Sequence, residues 1–247
     1  MSDANGRNDR CPPGPLHRTQ LAVEVADYLR TRIMTGVLRP GDFVRLDETA
    51  SVLGCSVTPV REALATLRGE GLVKQSLHRG FIVETLTRGD IVDTFWMQAE
   101  LSARLASHAA QNPHLDEHLG ELAALVDDLE TAVDSGRADQ VLSAEFAFHR
   151  KVHLMAESKK LAWFQYSASK YNPLQLYSSD TEWGLSAAAS HRRLIELLRE
   201  GDTAGIKAEI VSAFEDARDR LIAQLESIGF WDDGRSPATG AQSVSSA

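Results

Sequence analysis

Apolar residues recur at helical spacing along most of the chain and alternate as in a strand over one short stretch only. Leu21, Val25, Tyr28 and Leu29, with the stem of Arg32, predict one face of a first helix that stops near Gly36. After the turn Arg39-Pro40-Gly41, a second short helix is expected from Asp47, as N-cap, to Leu53, with Gly54 ending it. A third carries Val60, Ala63, Leu64 and Leu67, spaced i, i+3, i+4, i+7, which makes one buried stripe. Ser56 or Thr58 can cap it, Pro59 falls in its first turn, and Gly71 stops it. Strands at Leu72–Gln75 and Phe81–Glu84 flank the hairpin tip Ser76-Leu77-His78-Arg79-Gly80.

Beyond Thr87, a further N-cap, only helical periods persist, near 88–110, 115–135, 138–157, 159–171, 186–200 and 203–228, with an irregular stretch at 172–185. Asn112-Pro113, Gly136 and Gly201-Asp202 punctuate them. The pattern therefore predicts a mainly α protein. An N-terminal winged helix-turn-helix, three helices plus a two-stranded wing, precedes an all-α six-helix bundle. The expected divisions are a disordered tail at 1–15, the winged module at 16–85, the bundle at 86–230 and a second disordered tail at 231–247.

Composition adds limits. Apolar residues make up 43% and charged residues 25%, as in ordinary globular chains. No run approaches the roughly 18 apolar residues of a membrane span. The opening MSDANGRNDR lacks the apolar centre of an export signal, and two cysteines, Cys11 and Cys55, make no disulfide framework, so a cytoplasmic protein is expected. The net charge of −9 is unevenly spread. Residues 16–85 hold 9 Lys+Arg against 8 Asp+Glu, whereas 86–247 hold 15 against 25. Local basic surface rather than the total decides whether a chain binds nucleic acid, so the winged module remains competent.

A recognition helix enters the major groove, roughly 12 Å wide, with its N-terminal turn leading. On the third helix the stripe faces inward and leaves Val57, Thr58, Arg61 and Arg68 outward, with Arg61 placed for a base edge or phosphate. Ser56 and Thr58 beside the helix N-terminus suit a phosphate oxygen. His78 and Arg79 at the wing tip can reach the neighbouring groove, with Gly80 allowing close approach, and Arg45 is a further candidate.

The run Gly54-Cys55-Ser56-Val57-Thr58-Pro59-Val60-Arg61-Glu62-Ala63-Leu64, then Leu67 and Glu70-Gly71-Leu72-Val73, resembles the GntR family of bacterial regulators. Gly36 to Gly41 and Arg79-Gly80-Phe81-Ile82-Val83 fit the same pattern, so the resemblance spans about 18–85. Val57 stands where the family usually has arginine, which implies weaker phosphate binding or a shifted operator preference. The helical remainder, about 88–228, resembles the FCD ligand-binding domain of the FadR subfamily, and six helices without a seventh look like its VanR-type branch.

That second resemblance implies a metal site. Glu145 and His149 are i and i+4 on one helix and match the family's Asp-x-x-x-His pair, with glutamate for aspartate. His191 matches the next ligand, but Ala213 stands where a third histidine is expected, and His153 is one turn from His149. Such N/O donors suit Zn, Ni, Fe or Mn, with open positions for a carboxylate effector. The family's pocket arginine on the bundle's first helix aligns with Trp96 or Gln98, and the nearest downstream arginine is Arg104. The implied pocket comprises Trp96, Gln98, Arg104, Glu145, His149 and His191 and holds its effector with fewer charges. Phe95, Trp163, Phe164, Tyr166, Tyr177 and Trp183 are further candidate lining.

These resemblances imply a homodimeric repressor released from a palindromic double-stranded operator by a small metabolite, with no membrane partner. Alternatives are a metal-sensing regulator and a helical metal-dependent enzyme with a DNA-binding appendage. The sequence offers no convincing nucleophile and base for the last.

Overall fold

The computed structural model describes residues 16–76, 80–176 and 178–231. It divides into two compact units: the residues up to Arg30 join Pro40–Glu84, and Thr31–Arg39 join the residues from Thr85 on. The division differs from the expected 16–85 module in that Thr31–Arg39 belong with the helical unit. Both expected tails lie outside the described residues except Trp231, whose Nε1 donates to Leu86 O at 2.8 Å, so the bundle continues through that residue.

In the first unit, α1 (Leu16–Met34) buries Ala22, Val25, Ala26 and Leu29, while Leu21 and Tyr28 are exposed. The stripe is displaced from the expected one because Arg30 points inward. Its Nε and Nη2 donate to both oxygens of Glu70, at 2.8 and 2.6 Å, and it pairs with Asp27. α2 (Leu46–Val52) starts two residues earlier than a helix capped by Asp47, with Arg45 at its N-cap and no side-chain cap bond. Asp47 lies in the first turn, where its charge meets the positive end of the helix. α3 (Val57–Gly69) buries the expected stripe, Val60, Ala63, Leu64 and Leu67, to 1% exposure or less. Ser56 is its N-cap residue, but neither Ser56 nor Thr58 supplies a cap bond.

The wing gains a strand that the sequence reading missed: β1 (Phe43–Arg45) pairs antiparallel with β3 (Gly80–Val83), which also pairs with β2 (Val73–Ser76). Only Val44 of β1 is buried, so three residues leave no alternation to detect.

The second unit contains α4 (Arg88–Ala109), α5 (Leu115–Asp134), α6 (Ala138–Met155), α7 (Lys159–Ser169), α8 (Thr181–Glu200) and α9 (Thr203–Ser227). Thr87 caps α4 in a reciprocal box with Asp90, as its hydroxyl predicts. The irregular stretch is shorter than expected: a 3₁₀ turn occupies Leu174–Leu176, and Asp180 caps α8 by accepting from Glu182 N and Trp183 N. Gly201, in the left-handed region at φ 67°, ends α8, and Asp202 caps α9.

α4 packs along α9, and α5 lies between α6 and α8. Gly184 permits the α5–α8 approach, because a Cβ there would meet Val133 Cγ2 at 2.5 Å. Leu122, Leu129, Phe148, Leu198, Ile206 and Leu221, all 1% exposed or less, belong to one continuous core. At about 1.5–3 kcal/mol for each buried side chain of this size, that core is the main driving force for the bundle. It also holds α6, α8 and α9 in fixed register around a cavity.

Candidate DNA-reading face and ligand cavity

Ser56, Thr58, Arg61 and Arg68 are all exposed on or beside α3, and Val57 is half-buried. Among the described residues Arg61 has neither a salt-bridge nor a hydrogen-bond partner, which leaves its five donors free. Arg68 Nη1 donates to Gln75 Oε1 at 2.9 Å, and Arg45 pairs with Glu48 at 2.9 Å and lies over the Phe43 ring. His78 and Arg79 lie outside the described residues. Gly80 is buried: a Cβ there would meet Phe43 Cε1 at 2.3 Å and Val44 O at 3.0 Å. Its glycine identity is therefore explained by the packing of β1 on β3, which the sequence reading had attributed to close approach of DNA.

Within the helical unit, a cavity of about 500 Å³ is lined from α4, α6, α8 and α9 and from the segment holding Asn172 and Leu174. Glu145, His149 and His191 come together on its wall. Glu145 Oε1 lies 2.9 Å from His191 Nε2, and Oε2 lies 3.4 Å from His149 Nε2. The His191 ring stacks on Phe148 with centroids 3.9 Å apart, which fixes its plane. Burial alone would raise the Glu145 carboxyl, but the two imidazoles outweigh it and hold that carboxyl far below the usual range. Burial, and secondarily the nearby His149, push His153 down to about 4, so this cavity residue is neutral at neutral pH.

The donor set fits a divalent transition metal. One ligand atom from each of Glu145, His149 and His191 lies within 4.8 Å of the others, giving two imidazole nitrogens and one carboxylate oxygen. Ala213 lines the same cavity and leaves that side without a protein ligand.

The other expected pocket residues are placed differently. Trp96 is 64% exposed and Arg104 is also exposed, and neither lines the cavity. Gln98 is buried outside it, and its amide has no hydrogen-bond partner among the described residues. Of the candidate aromatics Trp183 lines the wall, Phe95 is core, and Trp163, Phe164 and Tyr166 are exposed; Tyr177 lies outside the described residues. The sequence reading missed Ser102, Asn172, Ser186, Ser190, Glu209, Ser212 and Asp216. Helical spacing could have found several of these, since Ser186 and Ser190 are one turn apart on α8 beside His191, and Glu209 and Asp216 share a face of α9 with Ala213.

An outward recognition helix and wing, followed by a helical unit with a cavity between its helices, define a DNA-binding transcription regulator. Residues 21–83 match the bacterial regulatory proteins of the gntR family, and residues 93–227 match the FCD domain. The chain belongs to the gntR family, with an FCD domain behind its helix-turn-helix. It is 33% identical over 189 residues to the "Probable D-xylose utilization operon transcriptional repressor" of Paenarthrobacter nicotinovorans, covering 76% of this chain and 82% of that one. It is 28% identical over 187 residues to an uncharacterized HTH-type transcriptional regulator of Mycobacterium tuberculosis, covering 71% and 74%. Among solved structures, Escherichia coli McbR superposes with a TM-score of 0.64 at 21% identity, over 83% of this chain and 98% of that one, a likeness of fold. These relatives are transcription regulators rather than enzymes, and no described helix is long and apolar enough to cross a membrane.

Proposed function

We propose that the protein is a homodimeric repressor that occupies a palindromic operator and is released by a small metabolite held in the cavity. DNA binding is assigned to residues 16–85, through Arg45, Ser56, Thr58, Arg61 and Arg68, with His78 and Arg79 at the wing tip. Ligand response is assigned to residues 86–230. Two recognition helices about one DNA turn apart would read the two half-sites. The observation that carries the reading is the bare Arg61 on the exposed face of a helix whose opposite stripe is fully buried. An outward-facing arginine on a rigidly packed helix is suited to reading guanine or phosphate.

A divalent metal on Glu145, His149 and His191 belongs to the same proposal; it would supply open coordination positions at the cavity wall. Ligand binding between α4, α6, α8 and α9 would favour one packing of the bundle and so bias operator affinity. Its relative's name points to pentose utilization as the first regulon to examine.

The test is selection of genomic fragments by the purified protein, footprinting, and release with candidate metabolites. A two-fold footprint and metabolite-dependent release are expected; unselective binding would contradict the reading. The Glu145–His149–His191 cluster also favours a pure metal sensor, for which chelator alone would change operator affinity.

A further inference from the structure

The cavity wall is rich in hydroxyls and carboxylates and, among the described residues, contains no lysine or arginine. Each of its three carboxylates already has a partner. Glu145 lies against His191 and His149, Glu209 accepts from Ser190 Oγ at 2.6 Å, and Asp216 accepts from Arg220 Nε at 2.8 Å. The Arg220 guanidinium also reaches Asp180, at 3.2 Å, so it carries no surplus charge toward the cavity. Even a dication on Glu145, His149 and His191 would leave no net positive charge on such a wall. A carboxylate entering there would give up its hydration on a wall of net negative charge, with serine, asparagine and histidine donors but no cation to replace it.

Two wall residues each carry a buried polar atom without a partner. Ser102 Oγ, on a residue 5% exposed, and the buried Asn172 Oδ1 have no hydrogen-bond partner among the described residues. Buried polar atoms without partners are costly, and a ligand that bonds them recovers that cost. Trp183 and Phe214 supply apolar surface on the same wall. Acceptors, unfilled polar atoms and apolar faces together match the hydroxyls and C–H faces of a sugar.

We infer that the cavity takes a neutral polyhydroxylated molecule of the monosaccharide class, its hydroxyls donating to Glu209, Asp216 and Asn172 and bonded by Ser102. This replaces the carboxylate effector implied by the family resemblance. It rests on the proposal that the cavity is the effector site, and it is testable without DNA.

The experiment is thermal unfolding and titration calorimetry of the full chain with D-xylose, L-arabinose, D-glucose and D-galactose. Each sugar is paired with the aldonate made by oxidising its C1, in chelator and again with added Zn²⁺. At least one sugar should raise Tm and bind about tenfold or more tightly than its aldonate in both conditions. An aldonate that binds as tightly as its sugar, or a panel in which no sugar raises Tm, would overturn the inference. In Ser102→Ala the ligand-free Tm should hold or rise, since an unbonded buried hydroxyl is removed, while sugar affinity falls about tenfold. A lowered ligand-free Tm with unchanged affinity would make that hydroxyl a packing group and overturn its assigned contact. Loss of the regulator reading would appear only in operator binding and leave these results standing.

Discussion

Arg61 lies bare on the surface of α3, whereas Glu145 is 3% exposed beneath two imidazoles, and this difference separates the DNA-reading face from the cavity. On the first unit's α3, charge is left outward and lightly held. A hydrated, mobile cation is suited to a polyanion, because contact releases condensed counterions and needs no preformed pocket. In the second unit the charges around the cavity are paired and fixed before any ligand arrives, so ordering them is part of folding rather than of binding. Arg30 of the first unit differs from Arg61: buried and paired with Glu70 and Asp27, it serves architecture, tying α1 to the end of α3.

The contrast can be broken at Arg30. Arg30→Ala should cost about 3 kcal/mol in denaturant unfolding, because it leaves Glu70 half-buried without its partner. A cost under about 0.5 kcal/mol would place Arg30 with the surface cations. Glu145→Gln should cost about 2 kcal/mol at neutral pH, since it removes the charge that both imidazoles face. The folded carboxyl titrates below its ordinary value of 4.5, so its contribution is full above that pH and is lost as pH falls below it. Parent and variant should therefore converge on acidification, and a gap that widened would refute the pairing. Ala213→His, measured by Zn²⁺ titration with a competing chelator, should tighten metal binding about tenfold by adding a ligand to the open side. Unchanged affinity would mean that position 213 does not face the metal.

How far each unit was legible follows from where its information lies. The stripe of α3 and the Thr87 cap depend on residues close in sequence, and both formed as expected, Asp90 adding a reciprocal bond. β1 escaped because a three-residue strand with one buried position has no period. The α1 stripe was misplaced because an inward arginine contradicts residue-type rules and is explained only by Glu70, forty residues away. In the cavity, Glu145 and His149 are one turn apart and were visible, but their meeting with His191 spans 46 residues and was suggested only by family resemblance. Trp96 and Gln98 entered the expected pocket by alignment with a family position and Arg104 as the nearest downstream arginine, and none of the three lines the cavity. Asn172 and Ser102 belong to no motif; only tertiary packing turns such residues into a wall.

The central claim is that α3 reads DNA through Arg61, and operator affinity of Arg61→Ala across a salt series tests it most directly. The variant should fold normally, because the side chain touches nothing it supports. It should also lose about 10–100-fold in operator affinity, with a shallower dependence on salt. Binding as tight as the parent's, with the same salt slope, would remove α3 from the groove and contradict the proposed mode of DNA reading.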